Sequence, residues 1–180
     1  TAYPEGPGLN IPVNMSVAFH SDAGCHPTDK LVGTFMFYTI KDDDKETTYP
    51  SGGDRICNRD FADFIQTQIV EDIRQTMMPT WQKRHLMHQS MSETRNPKVP
   101  STIIELLSHH NYYDMTFGLD PKFKFIASRA IYKGMLRFIH QTTGTPYVVQ
   151  PLPVQQMNIS YANNDSLHIT WAERVDRLEP

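Results

Sequence analysis

The sequence predicts an α/β domain, with a mixed β-sheet flanked by helices, followed by a short all-β tail. Three observations predict it. Thr102–Leu107 is a short apolar, β-branched run bounded by turn signals, the mark of a buried strand. Two longer stretches, 58–78 and 121–139, repeat their apolar residues at helical spacing. After Thr145 the helix signal stops, and Pro146, Pro151 and Pro153 lead into two short alternating stretches. The expected division is therefore 1–145 for the α/β domain and 146–180 for the linker and tail.

Taken in order, 1–12 is rich in Pro and Gly and reads as a loop. Val13, Met15, Val17 and Phe19 alternate toward His20, a strand signal. Ser21–Lys30 is a polar loop with Gly24 and Pro27, and Leu31–Ile40 is a second strand rich in Phe, Val and Tyr. Lys41–Asp54 is charged, then rich in Pro, Ser and Gly, and reads as an exposed excursion. Asn58–Met78 is the first helix, its apolar stripe made by Phe61, Phe64, Ile65, Ile69 and Ile73. Asn58 or Asp60 can cap its start, and Pro79 ends it. Trp81–Arg95 carries no clear period; on a helix, His85 and His88 would share a face.

The second helix is better signalled. Asp120 suits the cap and Pro121 the first turn. Phe123, Ile126, Ala127, Ala130, Ile131, Met135, Phe138 and Ile139 make one broad apolar face, and Gly134 allows close packing against the sheet. In the tail, Gln155–Tyr161 and Ser166–Trp171 read as strands joined by a turn over Ala162–Asp165.

Composition narrows the function classes. A length of 180 residues holds one domain with a real core and part of a second. The net charge of −3 gives no reason to expect nucleic acid or an anionic membrane surface as partner. No apolar run reaches the length of a membrane span. Cys25 and Cys57 are compatible with one disulfide in an exported protein or with two separate thiols.

The stretch with chemical character is Pro100–Asp114. Glu105 interrupts the apolar run of Ile103, Ile104, Leu106 and Leu107, and a buried carboxylate must be paired, hydrogen-bonded or bound to a metal. His109, His110, Asn111 and Asp114 follow at once. The ordinary role for such a glutamate is an ion pair.

Two motifs place it differently. Ser16-Val17-Ala18-Phe19-His20-Ser21-Asp22-Ala23 resembles the strand-plus-histidine motif, S-hydrophobic-H-A-N-A, of the zinc-dependent N-acetylmuramoyl-L-alanine amidases of the amidase-3 type. Pro100-Ser101-Thr102-Ile103-Ile104-Glu105-Leu106 is similar to their second motif, in which a proline leads into a hydrophobic strand ending in E-L. Asn111 and Asp114 fall where the family has S-N-x-x-D, and Ala127, Ala130, Ile131 and Gly134 look like its final helix. The resemblance spans about Val13–Ile139. Asp22 stands where the family prefers Asn, and Leu107 where it prefers Gly.

The resemblance implies an exported hydrolase that cuts the amide between N-acetylmuramic acid and L-alanine, with peptidoglycan or its fragments as partner. It implies zinc (Zn2+) as cofactor, His20 as one ligand and Glu105 as catalytic acid/base. Zinc with three protein ligands lowers the pKa of bound water to about 7. The other ligands are expected outside this chain, because the family's precede the His20 strand by more residues than are present. Asp22, His26, His109, His110 and Asn111 are candidates for contacts to substrate or around the ligands. Leu152–Trp171 is similar to the opening strands of a fibronectin type III-like module, and further domains of the same polypeptide fit this reading. A second reading is a binding or scaffolding module that kept the fold without the metal. A third is a local metal site built from His20, Asp22 and His26 and closed by His109 and His110.

Overall fold

The computed structural model describes residues 11–23 and 30–179. The chain divides into two units between Thr145 and Pro146. The first contains β1 (Ser16–Asp22), β2 (Thr34–Tyr38), α1 (Cys57–Thr76), β3 (Lys83–His88), α2 (Ser92–Arg95), β4 (Ser101–Ser108), α3 (Tyr112–Gly118) and α4 (Pro121–Thr143). Its four strands lie in the order β1-β4-β2-β3. β1 runs parallel to β4, β2 antiparallel to β4, and β3 parallel to β2, so the sheet is mixed as expected.

β4 lies inside the sheet, and its sequence explains why. Seven of its eight residues are buried, and only Glu105 is partly exposed. Side chains alternate across a strand. Ile104 joins Met36 of β2 in the cluster beneath α1 and α4, while Ile103 and Glu105 project from the other face. On the helix side, Phe61, Ile65, Ile69 and Ile73 of α1 and Phe123 and Ala130 of α4 are fully buried. Each large side chain so buried contributes roughly 1.5–3 kcal/mol.

α4 begins as its sequence indicates: the Asp120 side chain accepts a hydrogen bond from the Lys122 N–H at 2.8 Å, and Pro121 stands in the first turn. Gly134 corrects one expectation. It allows close approach to α1, not to the sheet, since a Cβ there would lie 2.6 Å from the Ile65 Cα. The two helices are also joined by charge. Lys133 and Asp72, both buried, pair at 2.8 Å, and Gln68 donates to the same carboxylate.

Other expectations change for tertiary reasons. Asn58 does not cap α1; it is fully buried, donates to the Thr39 carbonyl, and accepts from the Tyr49 hydroxyl and the Ser101 N–H. The Lys41–Asp54 excursion is exposed along much of its length, but Tyr49 is buried, with Arg55 stacked 4.4 Å over its ring. That burial pushes the Tyr49 hydroxyl up to about 12. His85 and His88 lie on a strand, so they do not share a helical face. Gly33, at φ +82°, admits the close pass of the Gln82 backbone, whose oxygen would sit 2.3 Å from any Cβ.

The second unit is an antiparallel hairpin of β5 (Gln155–Asn163) and β6 (Ser166–Ala172). Ile159 pairs with Ile169 and Tyr161 with Leu167, which places these four on one face. Among the described residues, no helix is long and apolar enough to cross a membrane.

Candidate functional site

The pairing of β1 with β4 sets His20 directly beside Glu105 in register, and the pairing of β2 with β4 sets Phe35 on Glu105's other side. These three residues therefore lie in one row on the face away from α1 and α4. The His20 Nδ1 is 4.0 Å from the Glu105 Oε1, and the glutamate side chain is only 13% exposed. Its Oε2 is buried without a hydrogen-bond partner among the described residues. Burial raises the pKa of this carboxyl; Asp22 raises it further, while His20, Arg84 and His109 pull it down.

Two irregularities bring further side chains to the row. Between the His20–Glu105 and Asp22–Ser108 pairs, β4 carries one residue more than β1. Between the Thr34–Lys83 and Met36–Leu86 pairs, β3 carries one residue more than β2. Such bulges re-aim side chains. Arg84 here donates to the Asp22 Oδ2 at 2.6 Å and lies 4.7 Å over the Phe35 ring, against which His85 also packs.

The sequence-predicted residues separate accordingly. His20, Asp22 and Glu105 come together. His109 is adjacent, its Nδ1 2.9 Å from the Ser21 Oγ and its backbone N–H donating to the Asp22 carbonyl. His110 is exposed with its ring against His109. Asn111 is fully buried and caps α3, accepting from the Asp114 N–H and donating to the Lys30 carbonyl. His26 lies outside the described residues, as does Cys25; Cys57 is a free thiol among the described residues.

Sequence reading missed Glu93. It sits on the single turn α2, with its Oε1 3.6 Å from the His20 Nε2. Its pKa is lowered by the Ser92 hydroxyl first, then by a backbone N–H, with a smaller contribution from His20. No periodic pattern marks a four-residue helix, so no local signal pointed to it. A cavity of about 420 Å³ also opens beside β1, lined by Phe19, Leu106, Met115, Phe123 and Ala127, together with His20 and His109.

A catalytic zinc keeps three protein ligands. Among the described residues no group of three or more His, Cys, Asp and Glu side chains comes together in a way that could hold a metal. His20 has two carboxylates near it, and Asp22 is committed to Arg84. These residues do not by themselves fit a zinc shell.

No family model matches the chain, and no curated protein matches it. Solved structures do. An N-acetylmuramoyl-L-alanine amidase from Clostridium difficile 630 is similar with a TM-score of 0.56 at 16% identity, over 72% of this chain and 59% of its own. The fold is that of the N-acetylmuramoyl-L-alanine amidases. The CwlD amidase of Clostridioides difficile, solved in complex with the GerS lipoprotein, superposes with a TM-score of 0.54 at 20% identity, covering 73% of this chain and 57% of its own. AmiC2 of Nostoc punctiforme gives 0.54 at 16% identity, over 71% and 58% of the two chains. The present chain thus spans well under two thirds of these amidases, and the likeness is one of fold.

Proposed function

We propose that this chain is part of an exported, zinc-dependent hydrolase that cleaves the amide between N-acetylmuramic acid and L-alanine in peptidoglycan. One observation carries the reading. On an amidase fold, the motif glutamate faces the motif histidine, sheltered and with one carboxylate oxygen lacking a hydrogen-bond partner among the described residues. A carboxylate in that state is equipped to take the proton of an attacking water and return it to the leaving amine. Burial serves this role, since a raised pKa brings the group closer to the working pH. The apolar cavity beside His20 offers room for an uncharged part of the substrate. The zinc of this reading needs ligands that the described residues do not supply.

The second reading is a metal-free binding or scaffolding module. It is favoured by the lack of any three-ligand group among the described residues. For the tail, the hairpin's apolar face supports the opening of a fibronectin type III-like module.

The test is Glu105→Gln in the full-length protein. Gln keeps the shape but cannot accept the proton, so amide hydrolysis of muropeptides should fall about 10²–10⁴-fold. Zinc content, measured by elemental analysis, should stay at the parent level. A protein without zinc and without hydrolysis, yet retained on peptidoglycan, would favour the binding module. A Glu105→Gln variant that hydrolyses at the parent rate would remove Glu105 from the reaction.

A further inference from the structure

We infer that the cavity beside the end of β1 binds a hydrocarbon chain with one anionic head, a carboxylate held at Lys124. The reading above gives this cavity only room for an uncharged group; the inference names a ligand for it and stands without any hydrolysis. Side chains alternate across a strand, so Phe19 and Leu106 project away from the His20–Glu105 row, toward α3 and α4. β4 carries its extra residue between Glu105 and Ser108, and Leu106 and Leu107 both line the cavity. Gly118, at the end of α3, keeps the space open, since a Cβ there would lie 3.1 Å from the Leu107 Cδ2. Across from β1, Phe123 and Ala127 of α4 are buried.

Phe19 is the residue out of place. A phenylalanine turned toward helices is ordinarily covered by them, yet Phe19 is 61% exposed on the sheet's edge strand. Between its ring and α4 lies a volume of about 420 Å³ with mainly apolar walls. Pockets of about 300–1,000 Å³ with apolar walls and few polar groups are the usual size for small ligands. Charge selects among such ligands. Among the described residues, no aspartate or glutamate lines the cavity. Its one lysine, Lys124, is exposed at the rim, with Ser128 one turn along the same face of α4. An ammonium and a hydroxyl suit a head of single negative charge. A phosphate monoester carries nearly two charges, and one would go unmatched. Apolar burial supplies the affinity, about fourfold for each CH2 that leaves water, and Lys124 sets the sign of the head.

The experiment titrates the full chain, labelled with 13C at its methionine methyls, with dodecanoate below its micelle concentration. The Met115 methyl, on the cavity wall, should shift and saturate. Met157, 59% exposed on the hairpin, is the reference for chains that coat any apolar surface, and it should not move. Decanoate, two CH2 shorter, should bind about sixteenfold more weakly. Dodecyl phosphate should bind no tighter than dodecanoate, and dodecylammonium should leave Met115 unshifted. Lys124→Glu, a change at an exposed residue, should reverse the preference, with dodecanoate lost and dodecylammonium gained. Ala127→Phe, which fills the cavity, should abolish binding of either. The inference is overturned if Met157 shifts in step with Met115, if decanoate and dodecanoate bind alike, if the phosphate is preferred, or if Lys124→Glu keeps the parent's preference. The chain-length and head-group series use the parent protein, so an Ala127→Phe variant that fails to fold still leaves the inference decided. A protein that binds dodecanoate and cleaves no amide would defeat the proposed function alone. One that hydrolyses the amide and ignores dodecanoate would defeat this inference alone.

Discussion

The two faces of the sheet each shelter a carboxylate, and they treat it in opposite ways. On the helix side, Asp72 meets Lys133 through both oxygens, at 2.8 and 3.0 Å, and Gln68 donates to it as well. Gln68 in turn accepts from Arg137, so the α1–α4 contact closes around a charge-paired polar network. On the other face, the ion-pair partner of Glu105 among the described residues is an imidazole 4.0 Å away. Removing a charge from water is costly on either face. Where a buried ammonium sits against both oxygens, the charge is locked and serves packing. Where no cation is that close, the carboxylate keeps the freedom that the proposed function asks of it, to accept and release a proton.

Three variants test that contrast. The largest effect is expected on the helix side. Lys133→Met leaves Asp72 buried and uncompensated, and should cost about 3–5 kcal/mol in urea unfolding. A neutral result would mean that Asp72 is not charged and that the two faces differ less than their contacts suggest. Gly134→Ala comes next. Its Cβ would meet the Ile65 backbone at 2.6 Å, so α1 and α4 must separate, at roughly 1–3 kcal/mol of thermal stability. The hydrolysis of the proposed function should be untouched, since Gly134 packs against α1 and not against β1 or β4.

Glu105→Gln should give the smallest change in stability, and one that depends on pH. The folded state raises this carboxyl's pKa, chiefly by burial. The stability it contributes is therefore complete below the ordinary glutamate range and is lost as pH rises through the raised value. Gln stays neutral throughout. The variant should match the parent in acid and equal or exceed it near neutrality, as read by denaturant midpoints across pH. A variant that loses stability near neutrality would show that the Glu105 charge is paired in the fold, as Asp72 is.

Some of the fold was legible because its signals are local. Asp120 and Pro121 marked the start of α4, the apolar period marked α1, and the Ala162–Asp165 turn marked the hairpin, since caps, periods and turns act within a few residues. Glu105 stood out for a similar reason, as one charge in an otherwise apolar strand. β3 was not legible. Lys83–His88 mixes charged and apolar residues without a clean alternation, and it is a strand because β2 supplies its hydrogen bonds.

The sequence by itself determined the apolar run of β4, the apolar stripes of α1 and α4, and that one carboxylate, Glu105, would interrupt the strand; it did not mark the buried Asp72 and Lys133. Only the tertiary structure decided what Glu105 faces. The parallel register of β1 on β4 puts His20 beside Glu105, an extra residue in β3 turns Arg84 onto Asp22, and a short turn fastened by Thr94 carries Glu93 to the far side of the imidazole. Each of these contacts joins residues distant in the chain. Their geometry is set by strand pairing and by burial against partners that no local pattern names.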